Sequence, residues 1–275
     1  MSALQSERGT TDTLGTGGKH PADAVRTSPP AQAAGARRTP ARTPAARTPE
    51  PARAPSARGT GPVDAWLADP WADALRSGQG PVFLRRDDGW LLPLEVERWC
   101  AAADPADATV LDRCEGVVLD VGCGPGRLVH ALTAVGRPVL GIDVCQEAVD
   151  RTVTGGGTAL RRSVFDPLPG EGRWGTVLLM DGNVGIGGDP GLLLERAAEL
   201  VEPEGQLLVE AATPDVDERV AVQVVDGRGA RGAGFRWARV GALALPTYAD
   251  ATGWRVERRW RAGDRSFLQL RRRRR

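Results

Sequence analysis

Histidine, lysine and tyrosine are almost absent from this chain of 275 residues, which has two histidines, one lysine and one tyrosine. The few cysteines form no Cys-x-x-Cys pair, so the spacing of a zinc site is missing. No apolar run approaches the ~18 residues that span a bilayer, and the N-terminal residues lack the apolar segment of a secretory signal. We therefore expect a protein of the reducing cytoplasm, with no metal, no membrane contact and no disulfide framework. The four cysteines are Cys100, Cys114, Cys123 and Cys145.

Charge is distributed unevenly along the chain, although the net charge is only +1. Residues 1–62 carry nine basic and four acidic side chains, residues 63–270 carry 22 and 31, and residues 271–275 are five arginines. A central region with an excess of acids argues against nucleic acid as a specific partner, because phosphate binding depends on Lys and Arg. The terminal arginines are expected to form a solvated tail.

Composition divides the chain into four segments. Residues 1–62 are rich in Ala, Pro, Thr and Arg and have almost no large apolar side chains, which predicts a disordered tail. Residues 63–113 hold four of the eight tryptophans and predict an N-terminal extension or lid, with short helices and a hairpin at residues 82–94. Residues 114–270 alternate apolar runs with helical stretches and predict one α/β domain, followed by the arginine tail at 271–275.

A glycine-rich motif lies near the start of the α/β region. The run Val117-Val-Leu-Asp-Val-Gly-Cys-Gly-Pro-Gly-Arg127 predicts a strand, a tight turn and the start of a helix. A second apolar run ends at Asp143, 21 positions after Gly122, where a βαβ unit places an acid against ribose hydroxyls. Glycines allow the backbone to approach a ligand closely, and the helix N-terminus offers free N–H groups. The motif therefore predicts a site for a nucleoside cofactor.

The spacing of the glycines separates two cofactor classes. Dinucleotide-binding folds favour Gly-x-Gly-x-x-Gly, whereas this turn has the spacing Gly-x-Gly-x-Gly. Asp120, two residues before the first glycine, would repel a pyrophosphate but would suit the ammonium of an amino-acid-like ligand. Both features disfavour NAD and favour S-adenosylmethionine. At this point the chain resembles the class I S-adenosylmethionine-dependent methyltransferases, through Leu119–Arg127 as their first motif and Gly141–Asp143 as their second.

Later segments extend this resemblance to roughly residues 110–270, and it implies S-adenosylmethionine as the cofactor. The resemblance implies that Asp120 contacts the ammonium of S-adenosylmethionine, that Asp143 binds both ribose hydroxyls and that Asp166 contacts the adenine amine. The cofactor-binding candidates are Asp120, Gly122, Cys123, Gly124, Gly126, Asp143, Val144, Asp166 and Asp181. The substrate-pocket candidates are Trp66, Trp71 and Asn183. No catalytic base is predicted, and His130 is expected to be a packed or surface residue of a helix.

Periodicity and resemblance together predict the architecture. The resemblance implies a Rossmann-like, seven-stranded, mostly parallel sheet with an antiparallel last strand, preceded by the helical and hairpin extension. Two alternating runs around the glycine-rich residues 226–234 predict a hairpin insert. The predicted strands lie near residues 117–121, 138–142, 158–162, 175–180, 206–211, 254–260 and 266–270. The predicted helices of this region lie near residues 126–135, 146–153, 190–201 and 241–252.

The favoured function is methyl transfer from S-adenosylmethionine to a small-molecule acceptor that the sequence does not identify. The segment after the fourth strand lacks the Asn-Pro-Pro-Tyr or Asp-Pro-Pro-Tyr motif of relatives that methylate amides and nucleobase amines. Two alternatives stay open: a protein that binds the cofactor without transferring its methyl group, and an NAD-dependent oxidoreductase. The sequence predicts no oligomeric state, because fold alone does not determine it.

Overall fold

The computed structural model describes residues 69–273, which form seven α-helices, one 3-10 helix (Asn183–Gly188) and eleven strands. The helices are α1 (Asp69–Ser77), α2 (Val96–Cys100), α3 (Pro105–Leu111), α4 (Arg127–Ala134), α5 (Gln146–Thr154), α6 (Pro190–Leu200) and α7 (Leu245–Ala251). The strands are β1 (Val82–Arg86), β2 (Leu91–Leu94), β3 (Val118–Val121), β4 (Val139–Asp143), β5 (Ala159–Arg161), β6 (Trp174–Leu179), β7 (Val201–Ala211), β8 (Asp217–Asp226), β9 (Arg231–Val240), β10 (Trp254–Ala262) and β11 (Arg265–Arg272). No helix in this span is long and apolar enough to cross a membrane.

Seven strands form the main sheet, in the order β10-β11-β7-β6-β3-β4-β5. Strands β3 to β7 pair in parallel, and β11 runs antiparallel to both of its neighbours. Strands β3 and β6 are buried along their whole length, as expected when helices cover both faces of a parallel sheet. The predicted seven-stranded sheet with a reversed last strand is confirmed.

The two faces of β3 show how the sequence builds this core. Leu119 and Val121 pack toward α6 and α7, whereas Val118 packs toward α3 and α4. Asp120 alternates with Leu119 and Val121, so it lies on the α3 and α4 side, at the carboxyl end of the strand. Ligands of open α/β sheets bind at this edge.

The second sheet has four strands in the order β2-β1-β8-β9, and we call it the small sheet. The sequence predicts each of its hairpins separately, but not that β1 pairs with β8, from Val82 opposite Asp226 to Arg86 opposite Val222. One face packs on α1 and α5 through an apolar cluster that includes Trp71. The N-terminal extension and the hairpin insert therefore form one structural unit.

Three sequence predictions need correction or fall outside the description. Arg271 and Arg272 belong to β11, and Arg271 donates to Glu115 (2.6 Å) and Glu257 (2.9 Å), so the tail does not begin at residue 271. The strand predicted at residues 206–211 begins earlier, at Val201, and its pairing with β6 shifts register between Trp174 and Thr176. The predicted tail 1–62 and Trp66 lie outside the described residues.

Candidate active site

A cavity of about 820 Å³ opens at the carboxyl ends of β3, β4, β6 and β7, with the small sheet contributing part of its wall. Its size falls in the range of ligand pockets that bury drug-sized molecules. The predicted residues that line it are Trp71, Asp120, Gly122, Cys123, Gly124, Asp143, Val144, Asp181 and Asn183. The fold thus brings most of the sequence candidates together at one place.

The glycine-rich turn between β3 and α4 forms one side of the cavity. Gly122 and Gly124 have φ angles of 70° and 54°, a left-handed conformation that side chains other than glycine rarely adopt. A Cβ added to Gly124 would meet no atom within 4 Å, so the backbone here faces open space. Gly126 differs, because its Cβ would lie 2.6 Å from the Thr152 hydroxyl. Gly126 therefore allows α4 to pack on α5 and does not line the cavity, contrary to its prediction as a cofactor contact.

Asn183 holds this turn in place. Its Nδ2 donates hydrogen bonds to the carbonyls of Val121 and Gly122, both at 2.9 Å. A Cβ on Gly122 would lie 2.6 Å from the same nitrogen, so the glycine and the asparagine fit together. The sequence predicts Asn183 as a substrate contact, whereas in the structure its side-chain nitrogen donates to the glycine turn.

Asp143 connects the end of β4 to the same turn. One carboxylate oxygen accepts from the N–H of Gly124 and the other from the N–H of Cys145, each at 2.9 Å. Burial raises the pKa of Asp143 above its usual value, although the backbone donors oppose the shift. Each oxygen retains a lone pair, so the carboxylate can still accept from hydroxyl groups of a ligand.

Asp120 is the buried acid without a partner. Its side chain is 2% exposed and lines the cavity, and none of residues 69–273 donates a hydrogen bond to its carboxylate. Burial, together with the nearby charges of Asp181 and Asp143, raises the pKa of Asp120 to about 8. A buried carboxylate of this kind is stabilised by a bound cation.

Asp181 has the opposite environment. Its two oxygens accept from Arg98 (2.8 Å) and Arg127 (2.6 Å), and its N–H donates to Glu210 at 2.9 Å. Burial raises the pKa of Asp181, but Arg127, Arg98 and Arg265 outweigh it and leave the pKa below its usual value. Its φ of 55° is the only positive value among the described residues that are not glycine, and these contacts hold it. Asp181 is therefore part of an ion-pair cluster. Both of its carboxylate oxygens are already paired with arginines, so neither is available as the main partner of a cationic ligand.

Comparison with known proteins identifies the family. The family model described as "Methyltransferase domain" matches residues 96–258, which is more than half of the chain. The chain belongs to this methyltransferase family. No curated protein sequence matches the chain.

Among solved structures similar to this chain, the first one below supports the fold. A S-adenosylmethionine-dependent methyltransferase from Bacteroides fragilis, in complex with S-adenosylhomocysteine, has a TM-score of 0.64 at 20% identity, covering 77% of this chain and 96% of its own. The 1,6-didemethyltoxoflavin-N1-methyltransferase of Burkholderia thailandensis has a TM-score of 0.46 at 18% identity, covering 62% and 77%. The sugar N-methyltransferase KedS8 from a Streptoalloteichus species has 0.48 at 15%, covering 62% and 88%. The predicted class I methyltransferase, with S-adenosylmethionine as its cofactor, is confirmed.

The residues of the methyltransferase cavity fit this cofactor. The open space at Gly124 admits a ligand close to the backbone, and the unpaired carboxylate of Asp120 suits an ammonium group. Two buried nitrogen donors with positive charge, opposite to that of Asp120, lie nearby. Arg98 Nη1 and Arg127 Nε have no hydrogen-bond partner in the described part of the chain. A carboxylate would satisfy them. The site therefore combines an unpaired buried carboxylate with two buried guanidinium nitrogens that have no hydrogen-bond partner among residues 69–273.

Sequence analysis missed these two arginines. Arg127 ends the glycine motif, but the motif alone gives no sign that its guanidinium turns back to Asp181 and to the buried Asp107. Arg98 lies in α2, 83 positions from Asp181, so only the fold shows that they pair. The signal that the sequence offers is an arginine, Arg127, placed directly after the glycine turn.

The other candidates of the methyltransferase are placed as follows. Asp166 is exposed, and its carboxylate accepts from the N–H of Ser163 at 3.2 Å, so it makes a turn and does not line the cavity that its predicted adenine contact would require. Trp71 is buried in the wall and meets Trp99 edge to face, with ring centroids 5.7 Å apart. His130 pairs with the Thr152 carbonyl at 2.8 Å, as a packed helix residue. Residues 69–273 contain no group of His, Cys, Asp or Glu that could hold a metal.

Cys123 lines the cavity as a packed side chain. A Cβ added to Gly141 would lie 2.7 Å from its sulfur, so the thiol fills the space above β4. Burial raises the pKa of the Cys123 thiol well above its usual range, and the charges of Asp143 and Asp120 add to the shift. A thiol that stays protonated is a poor nucleophile, so Cys123 acts as a small buried residue.

Proposed function

We propose that this methyltransferase transfers a methyl group from S-adenosylmethionine to a small-molecule acceptor held between the glycine turn and the small sheet. The observation that carries the proposal is the buried, unpaired carboxylate of Asp120 beside a glycine turn in a cavity of about 820 Å³. A pyrophosphate at this position would meet the negative charge of Asp120, which argues against a dinucleotide. The volume is large enough for a cofactor together with a small acceptor.

In this proposal five residues bind the cofactor. Asp120 pairs with the ammonium, while Arg98 and Arg127 receive the carboxylate on their unpaired nitrogens. Asp143 accepts from the ribose hydroxyls with the lone pairs that Gly124 and Cys145 leave free. Val144 lines the cavity next to Asp143 and packs beside the base.

When bound, S-adenosylmethionine supplies a methyl group on a positively charged sulfur. The protein contributes alignment and exclusion of water, because positioning of two reactants can supply most of the acceleration. No His, Lys or Tyr is among the described residues that line the cavity. Asp181 is held by arginines, so it does not take the acceptor's proton. We therefore propose that binding and orientation, with no dedicated base, carry the reaction.

Calorimetric titration of the full chain with S-adenosylhomocysteine and, separately, with NADH tests the cofactor. We expect S-adenosylhomocysteine to bind to the wild type and to Asp166→Ala, which changes an exposed acid outside the cavity. Binding should be lost in Asp143→Ala, because the variant removes an acceptor for the ribose and the contact to Gly124. Binding of NADH alone would overturn the proposal and favour the oxidoreductase alternative.

The alternative of a binding protein without transfer has its own test. Incubation with labelled S-adenosylmethionine and a panel of small-molecule acceptors measures transfer directly. A protein that binds the cofactor and methylates none of them would favour the binding alternative. The free state of Cys100, Cys114, Cys123 and Cys145 supports our further proposal that the protein works in the reducing cytoplasm.

A further inference from the structure

The small sheet gives the cavity a wall of distinct chemistry. Phe235, Trp237 and Arg239 alternate along β9, so their side chains share one face of the strand. All three line the cavity, together with Leu84 of β1 and Leu94 of β2. The wall is therefore largely apolar and aromatic and carries two arginines of β9, Arg236 and Arg239, of which Arg239 shares the face of Phe235 and Trp237.

The aromatic part of this wall suits a flat ligand. The rings of Phe235 and Trp237 meet edge to face, with centroids 6.1 Å apart and an angle of 87° between their planes. Aromatic pairs prefer such geometry, and apolar pockets with aromatic walls bury planar groups well. Leu84 and Leu94 are themselves buried, so a ligand here would lie against a dry surface.

Arg239 has donor capacity left over. It is only 8% exposed, yet its Nη1 reaches Glu218 at 3.2 Å and its Nη2 reaches the Thr213 carbonyl at 3.5 Å, both long contacts. Its Nε donates to no group of residues 69–273, and the ring of Trp90 lies 4.9 Å from its guanidinium carbon. Glu218 is one third exposed, so water screens it and it neutralises the buried arginine only in part.

Arg239 differs from the arginines near the glycine turn. Arg98 and Arg127 share the oxygens of Asp181 and belong to the cluster that borders Asp120, whereas Arg239 lies on the small sheet. Its partner Glu218 comes from β8, directly opposite in the strand register. The cation of this wall is thus separate from the groups that we propose for the cofactor.

We propose that the methyl acceptor is a planar aromatic molecule with an anionic substituent, a carboxylate or a phosphate, which Arg239 binds while Phe235 and Trp237 cover the ring. The proposal rests on the proposed methyltransferase function and specifies the substrate class of the same cavity. Arg239 acts here as a specificity-determining residue, because a guanidinium binds carboxylate and phosphate through paired N–H donors. A neutral ring of the same size would leave the buried guanidinium without a full set of partners.

Calorimetry on the full chain saturated with S-adenosylhomocysteine tests this inference. The probes are 2-naphthoate, 2-naphthyl phosphate, the neutral 2-naphthamide and acetate, which has charge but no ring. We expect at least one naphthyl anion to bind at least about tenfold more tightly than the amide, the ratio typical of a charge-assisted hydrogen bond. Acetate should bind far more weakly than either. The two naphthyl anions distinguish a carboxylate from a phosphate.

Three variants assign the preference to Arg239. Arg239→Gln should abolish the preference for the anions, whereas Glu218→Gln should increase it, because it removes the competing carboxylate. Arg231→Gln, an exposed arginine of the same strand β9 that does not line the cavity, is the matched control and should leave the preference unchanged. A purely structural ion pair would instead make Arg239→Gln and Glu218→Gln change the melting temperature and leave the probe ratio alone.

The outcomes separate this inference from the proposed function. Equal binding of naphthamide and the naphthyl anions, or a preference that survives in Arg239→Gln, overturns the aromatic acid as substrate class. Binding of S-adenosylhomocysteine without binding of any naphthyl probe also overturns it, while leaving the proposed function intact. Failure to bind S-adenosylhomocysteine removes the proposed function, and the inference falls with it.

Discussion

The raised pKa of Asp120 predicts that cofactor binding depends strongly on pH. In the free protein the pKa of Asp120 is about 8, because the carboxylate is buried without a hydrogen bond and faces Asp181 and Asp143. An ammonium bound beside it stabilises the ionised form, so the pKa falls toward its ordinary value in the complex. Binding below pH 8 must therefore release a proton from Asp120.

The size of this effect follows from linkage. Where the free form is protonated and the bound form is ionised, affinity rises about tenfold for each pH unit, or about 1.4 kcal/mol. Between about pH 5.5 and 7.5 we expect the affinity for S-adenosylhomocysteine to increase by about two orders of magnitude. Calorimetry in buffers of different ionisation enthalpy should also show about one proton released per ligand bound.

Asp120→Asn is the variant that isolates the group, since it keeps the shape of the side chain and removes its titration. Its affinity should be nearly independent of pH and lower than that of the wild type between about pH 5.5 and 7.5, with a gap that widens as the pH rises. Asp166→Ala, outside the cavity, should retain the full slope. A flat profile in the wild type, or an unchanged slope in Asp120→Asn, would refute the assignment of the binding charge to Asp120.

Four further substitutions test separate parts of the site. Gly126→Ala should lower the free energy of unfolding by about 1–3 kcal/mol in a denaturant titration, because its Cβ meets Thr152. Gly124→Ala should instead mainly weaken binding of S-adenosylhomocysteine, because its Cβ enters the cavity. Asn183→Ala removes two hydrogen bonds to the glycine turn and should weaken that binding about tenfold in calorimetry, with a smaller loss of stability. Asp181→Leu should destabilise the protein by about 3–5 kcal/mol, since it leaves buried arginines without their shared partner; a loss below about 1 kcal/mol would contradict the cluster.

Local patterns in the sequence predict most of the main sheet. Apolar runs that end in an acid or a glycine place β3 and β4 within one residue of their observed starts, because such strands are buried on both faces and helices separate them. The small sheet is different. Its hairpins are visible as alternating runs, but the pairing of Val82 with Asp226 joins segments far apart in sequence, which no local pattern encodes.

The site is predictable to a different degree for each residue. Asp143 and Gly124 are found correctly at the cavity because strand, turn and helix follow one another directly in the chain. Asp166 does not line the cavity, because the segment after β5 turns its carboxylate back onto Ser163, a local hydrogen bond that competes with any ligand. The sequence does not reveal the packing role of Gly126, because the side chain that leaves no room for a Cβ there is Thr152, on another helix.

Asp120 and Asp181 show why residue type and strand position together do not define a role. Both are aspartates at the ends of the neighbouring strands β3 and β6, and the sequence treats them alike. The fold brings Arg98, Arg127 and Arg265 to Asp181, which lowers its pKa, and brings no donor to Asp120, which raises its pKa. A carboxylate that is already paired gains little from a ligand cation, whereas one that is buried alone gains the full interaction. The arginines thus leave Asp120 as the acid that a positively charged ligand stabilises most, and two of them, Arg98 of α2 and Arg265 of β11, lie outside the glycine motif.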